Sequence, residues 1–258
     1  MATNTKKQVY KPVETILVSQ PQPQRSPFFN LAEKYDLKID FRSFIHVEEV
    51  TEKEFRKQRV RPDEYSAVIF TSRNSIDHFF RMCEEMRIKM SEDTKYFCIS
   101  QAVAHYLQKF IVYRKRKVFV GKRKIADLES AFKTHKKTEN FLLPCSNLGS
   151  KQVVRYLKAE NIDHQEAMMY RTVASDLSDL ADITYDVLVF FSPLGIESLY
   201  KNFPDFKQND TRIAAFGNST SKAVEDRGLE INIKAPQPET PSMTMALEKY
   251  IVVANGKK

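Results

Sequence analysis

Ala67-Val-Ile-Phe-Thr-Ser-Arg-Asn-Ser75 sets four apolar, strand-forming residues directly against a run of small hydroxyl and amide residues, and a helical pattern continues from Ser75 to Met86. A buried strand that hands over at once to a helix is the step from which α/β proteins are built. The step recurs along the chain. Thr15-Ile-Leu-Val-Ser19 precedes a helix over Pro27–Tyr35, with Ser26 suited to the N-cap and Pro27 to the first helical position. Phe141-Leu-Leu143 leads through Pro144-Cys-Ser-Asn-Leu148 into a helix over Ser150–Glu160. Val187-Leu-Val-Phe-Phe191 leads through Ser192-Pro-Leu-Gly195 into Ile196–Asn202. Ile213-Ala-Ala-Phe216 leads through Gly217-Asn-Ser-Thr220 into Ser221–Arg227. The expected fold is α/β with parallel sheets.

Ligands of open α/β sheets bind beyond the carboxyl ends of the strands, where helix N-termini present free N–H groups and a positive dipole end. Each Ser, Thr or Asn in these loops therefore has two readings, a plain helix cap or a contact to an anion. Two segments break the alternation. Leu37–Val50 is too long for one ordinary strand, and Glu166–Val173 is a second extended run. They fit paired crossings between two lobes, one of them built from both ends of the chain. A single sheet is the alternative.

Composition removes several classes. Only six glycines occur in 258 residues, with no GxGxxG, GxxxxGK[ST] or GxSxG. Dinucleotide cradles, P-loops and nucleophile elbows are thereby excluded. Cys83, Cys98 and Cys145 stand far apart without a CxxC, so neither a disulfide framework nor a common zinc spacing is present. The stretch Met1–Glu14 is polar, and the first apolar run, Ile16–Val18, is far too short for a signal-peptide core. A soluble, cytoplasmic protein is expected. The net charge of +8 points to an anionic partner without choosing its kind.

Six stretches, in order, resemble the uroporphyrinogen-III synthase family. They are Ile69-Phe-Thr-Ser-Arg-Asn74, Leu143-Pro-Cys-Ser-Asn147, Met169-Tyr-Arg-Thr-Val173, Phe190-Phe-Ser-Pro-Leu-Gly195, Ala214-Ala-Phe-Gly-Asn-Ser-Thr220 and Ala235-Pro-Gln-Pro-Glu-Thr240. The resemblance spans about Thr15 to Leu247. It implies two Rossmann-like or flavodoxin-like lobes with parallel sheets, joined by a two-stranded β connector, with the active site in the cleft between them. One lobe would take 1–42 plus 174–258 and the other 51–165, with 43–50 and 166–173 as the connector strands. Two departures stand out. The first strand ends Ser19-Gln20-Pro21 where the family often has Thr-Arg-Pro. A Gly-x-x-Thr-Ala loop is replaced by Ser100-Gln-Ala-Val-Ala104.

The resemblance further implies a substrate, hydroxymethylbilane, that is a linear tetrapyrrole bearing acetate and propionate groups. Loss of its terminal hydroxyl gives an azafulvenium cation. The substituted carbon of the last pyrrole attacks it through a spiro intermediate, and re-closure leaves ring D inverted. That carbon chemistry belongs to the substrate, so neither a metal nor an organic cofactor is expected. Tyr170 is the candidate catalytic residue, because a phenol stays protonated at neutral pH and can donate to the departing hydroxyl. Ser72, Ser192, Ser219 and Thr220 are the leading carboxylate contacts. Thr71, Asn74, Ser100, Ser146 and Gly217 complete the set, with Ser100 or backbone N–H groups serving where the family threonine is Val103.

Three alternatives stay open at this stage. Tyr170 also reads as a half-buried strand tyrosine, although its Tyr-Arg-Thr context favours the functional reading, with Arg171 beside it facing the site or away. The chain also reads as a non-catalytic tetrapyrrole- or polyanion-binding relative. A nucleic-acid binder would use Arg114-Lys-Arg-Lys117 and Lys122-Arg-Lys124, though no RNP, KH or helix-turn-helix signature accompanies them. Charge runs usually face solvent, so nucleic acid is not the expected partner. A monomer that does not engage membranes is expected.

Overall fold

A computed structural model describes residues 10–256; the first nine residues of the polar Met1–Glu14 stretch lie outside it. Among the described residues eleven strands run in chain order. The first five are β1 (Thr15–Val18), β2 (Lys38–Phe41), β3 (Ile45–Glu49), β4 (Ala67–Phe70) and β5 (Lys95–Cys98). Then come β6 (Val118–Val120), β7 (Phe141–Ser146), β8 (His164–Ala174), β9 (Val187–Phe190), β10 (Arg212–Phe216) and β11 (Ile231–Ala235). They form a five-stranded sheet, β11-β10-β9-β1-β2, and a six-stranded sheet, β3-β8-β7-β4-β5-β6.

The chain divides into two compact units. One holds the described residues up to His46 together with those from Val173 onward; the other is Val47–Thr172. The sheet of the first unit is parallel throughout. Its strands, numbered within the unit, lie in the order second, first, third, fourth, fifth, which is the flavodoxin-like winding. In the second unit β4 to β8 pair in parallel. Their order is third, second, first, fourth, fifth, the Rossmann-like winding. In each unit the winding reverses at one place, between β1 and β9 or between β4 and β7. Such switch points open a crevice at the carboxyl ends of the two strands.

The inner strands β1, β4 and β9 are buried along almost their whole length, as strands covered on both faces are. In the second unit Val68, Phe70, Tyr96, Cys98 and Leu142 face one buried cluster, and Ala67, Ile69, Phe97, Phe141 and Leu143 the other. Phe97 is fully buried, with its ring centroid 4.7 Å from that of Phe119, 4.9 Å from Phe132 and 5.1 Å from Phe141. The three cysteines are buried in this unit. Burial pushes the Cys83 and Cys98 thiols up to about 12 and the Cys145 thiol to about 11.

Leu37–Val50, too long for one ordinary strand, forms two, β2 and β3. The Arg42 amide still bonds Val18 of β1, but Phe44 is buried and its carbonyl accepts from the Ser175 amide and the Ser198 hydroxyl, which draws the chain off the sheet. Strand β7 continues through Pro144 to Ser146, where a loop was expected. Its hydrogen-bonded ladder to β4 ends at Leu142, short of Pro144, which has no N–H to give, while the ladder to β8 continues. Helices start early, at Arg73, Pro193 and Asn218. Asn74, Ser219 and Thr220 thus belong to first helical turns rather than to loops.

Two side chains of the basic segment, and three of its amides, are engaged within its own unit. Arg114 pairs with Glu92 at 3.0 Å, and Lys117 pairs with Asp93 at 2.7 Å. The amides of Lys122, Arg123 and Lys124 all donate to one carboxylate oxygen of Asp127, at 3.0, 2.8 and 2.8 Å. Those amide bonds hold the Asp127 carboxyl below the usual carboxylate range. A carboxyl depressed in the folded state adds stability that is present above its unfolded value and is lost as pH falls through the folded one. We therefore expect Asp127→Asn to lower the urea midpoint at pH 7, with the gap to the parent closing below about pH 4. A gap constant down to pH 3 would contradict this.

Candidate active site

In the second unit the site is assembled where β4, β7 and β8 end. Phe70 runs into Thr71 and Ser72, both half-buried, and Ser72 caps the thirteen-residue helix Arg73–Glu85. The Ser72 hydroxyl accepts from the Ser75 amide at 3.1 Å, and the Ser75 hydroxyl returns a bond to the Ser72 carbonyl at 2.7 Å. Ser72 is thus a working cap. Replacing it by Ala should cost about 1 kcal/mol in urea unfolding, as for other serine caps. A loss near zero would show that its hydroxyl is spared for another partner.

Tyr170 lies on β8 at only 8% exposure. The β7–β8 register slips between Cys145 and Ser146, so that Cys145 pairs with Met168 and Ser146 with Tyr170. Met169 is the extra residue of a bulge. Counting from Ala167, which faces the cluster under helix Arg73–Glu85, strict alternation would turn Tyr170 to the other face. The bulge returns it to the helix side, where it joins the same cluster. Burial raises the phenol above its ordinary 10.0, against the opposing pull of the Ser72 hydroxyl beside it. The group is uncharged at neutral pH.

Ser146 is half-buried, and its hydroxyl accepts from the Leu148 amide at 3.3 Å. Asn147 clasps β8, its carboxamide accepting from the Thr172 amide at 2.8 Å and donating to the Thr172 carbonyl at 3.3 Å. Ser100 caps the helix Gln101–Leu107 through the Val103 amide at 3.4 Å, while Val103 is buried in the core. Asn74 is exposed in its first turn. Arg171 pairs with Glu54 at 3.2 Å, which answers where its guanidinium is committed.

In the first unit the switch point lies between the ends of β1 and β9. Ser192 occupies the N-cap of helix Pro193–Asn202 without making a cap bond. Gly217, at φ 85°, sits before helix Asn218–Glu225 and donates to the Ala235 carbonyl at 2.6 Å. Ser219 is exposed. Thr220 is 1% exposed with its hydroxyl enclosed and unpartnered, so Asn218 and Ser219 are what this first turn presents to solvent. The structure thus brings Thr71, Ser72, Ser146 and Tyr170 to one end of the second unit's sheet. Ser192 and Gly217 with Ser219 lie at the corresponding end of the first unit's sheet.

Sequence reasoning passed over two residues. Ser19 follows β1 directly at the first unit's switch point, its amide donating to the Val189 carbonyl of β9 at 3.0 Å, a place that only strand order reveals. His78 stacks on Tyr170 with centroids 4.8 Å apart and planes 18° apart. Its one sequence signal is its place three residues after Ser75 on the same helix face.

Each of the two doubly wound units carries hydroxyl groups and helix N-termini at its strand ends, and one adds a buried neutral tyrosine, groups that suit an anionic small molecule. The chain belongs to the family described as uroporphyrinogen-III synthase HemD, whose sequence pattern matches residues 28–245. The uroporphyrinogen-III synthase of Chlorobaculum parvum (strain DSM 263 / NCIMB 8327) is 23% identical over 254 residues, covering 93% of this chain and 100% of that one. Solved structures share the fold. Uroporphyrinogen-III synthetase from Helicobacter pylori 26695 aligns with a TM-score of 0.58 at 16% identity, over 93% of this chain and 99% of that one. A mutant uroporphyrinogen III synthase from the extremely thermophilic bacterium Thermus thermophilus aligns at 0.54 and 14% identity, over 95% and 100%. Among the described residues no helix is long and apolar enough to cross a membrane.

Proposed function

We propose that this chain closes hydroxymethylbilane to uroporphyrinogen III, inverting ring D and releasing water. The observation that carries the reading is the placement of Tyr170, a buried, uncharged phenol on β8 where its ladder to β7 ends, opposite Ser146 and beside Ser72. In this reading Tyr170 donates its proton to the departing hydroxyl, which leaves as water. The phenolate recovers a proton from the one the pyrrole system loses as the macrocycle closes, so the enzyme ends unchanged.

The hydroxyls of Thr71, Ser72, Ser146, Ser192 and Ser219, with the amides of the helix N-termini at Ser72, Ser192 and Gly217, bind acetate and propionate groups. Ser100 and Asn74 lie at the margin of that set, and Thr220 joins it only if its first helical turn opens. Hydroxyl and amide contacts hold carboxylates without the bidentate lock of an arginine pair, which suits a guest that must refold in place. Holding the chain ends for spiro closure rather than direct closure supplies the larger share of catalysis, since positioning is worth several kcal/mol. The segments 43–50 and 166–173 serve as the connector, and the chain works as a cytoplasmic monomer.

The test is an assay with freshly generated hydroxymethylbilane, in which the porphyrin products are oxidised and separated by isomer. The asymmetric isomer should dominate over the symmetric one that forms spontaneously. Only the symmetric isomer, at the background rate, would sink the proposal.

A further inference from the structure

Tyr170 is gripped by one helix at two points. His78 lays its imidazole face to face on the phenol, with 4.8 Å between centroids. One turn later, Arg81 donates through Nη2 to the carbonyls of Val50 at 3.0 Å and Met169 at 3.2 Å. Met169 is the bulge residue next to Tyr170, so the guanidinium fixes the backbone that aims the ring, and the imidazole fixes the ring. Arg81 is in turn held by Glu85 at 2.6 Å. His78 plays no visible role elsewhere among the described hydrogen bonds: its Nδ1 is enclosed and has no partner. An enclosed nitrogen without a partner costs free energy, so what the position gains must come from the ring face. Burial, helped by the nearby Arg81 charge, lowers the imidazole below its ordinary 6.5, leaving it uncharged at neutral pH and able to stack as an aromatic plane.

We propose that His78 is a positioning residue for Tyr170, its stacked ring fixing the direction in which the phenol presents its hydroxyl during turnover. The inference rests on Tyr170 being the proton donor. A misdirected donor lowers kcat while leaving substrate binding, which other residues carry, nearly intact.

The experiment compares His78→Ala, His78→Phe, Tyr170→Phe and the Tyr170→Phe/His78→Ala pair in the full-length chain, by isomer-resolved turnover and by NMR of 13C-labelled tyrosine rings. His78→Ala should lower kcat about tenfold with KM within about twofold, as expected for a lost orientation. His78→Phe, which keeps the stack and discards the nitrogens, should restore at least about half of the parent kcat. The paired variant should be no slower than Tyr170→Phe alone, because no hydroxyl is left to aim. The two edges of the Tyr170 ring should give separate signals in the parent and in His78→Phe, and one averaged signal in His78→Ala. Parental kcat in His78→Ala alongside an impaired Tyr170→Phe would overturn the positioning role and leave the donor in place. His78→Phe as slow as His78→Ala would overturn it too, by showing that the nitrogens act. Parental turnover in Tyr170→Phe would remove the donor itself.

Discussion

Tyr170→Phe should lower turnover by about 10- to 100-fold, the loss expected when one general acid is removed from a reaction that positioning still assists. The variant keeps the ring, its stack on His78 and its burial, and removes one oxygen. Stability should therefore hold, or rise slightly, since a buried phenol hydroxyl loses little more than its contact with Ser72. KM should change less than kcat, because a donor acts on the departing hydroxyl and not on the carboxylates that anchor the guest. Initial rates with isomer separation, taken beside a urea curve, check both halves. Parental turnover would take Tyr170 out of the mechanism.

Phe97→Ala carries the largest stability effect we expect, about 3–5 kcal/mol for truncating a fully buried phenylalanine. The ring is the hub of an aromatic cluster that seals one face of the second unit's sheet, against Phe119, Phe132 and Phe141. Those neighbours are anchored on two further strands and a helix, so the void has little means of collapsing. The urea midpoint should fall with an unchanged slope. A loss under about 1 kcal/mol would mean that the cluster repacks.

The strand-to-helix steps were legible because an apolar run of β-formers needs burial on both faces, and few folds other than a parallel α/β sheet provide it. Helix starts were misplaced by two or three residues for a definite reason. The first turn of a helix has no intrahelical acceptors for its N–H groups and tolerates polar side chains, so Arg73-Asn74 and Asn218-Ser219 look like loop. Strand order was illegible, since parallel neighbours come from distant parts of the chain, and with it the switch points and Ser19. The family likeness made Tyr170 the candidate, yet which face of β8 it takes depends on a bulge at Met169 that no local signal marks. His78 was out of reach for the same reason, because its contact exists only once that bulge has turned the phenol.

Cys83, Cys98 and Cys145 are the only cysteines in the chain, and all three fall inside Val47–Thr172. Enclosed and held as thiols, they are shielded from alkylating reagents until that half opens, whereas the other half offers such a reagent nothing at all. The native chain thus carries its own reporter for one half. The pace at which it takes up a thiol-specific dye times the exposure of the tyrosine-bearing unit.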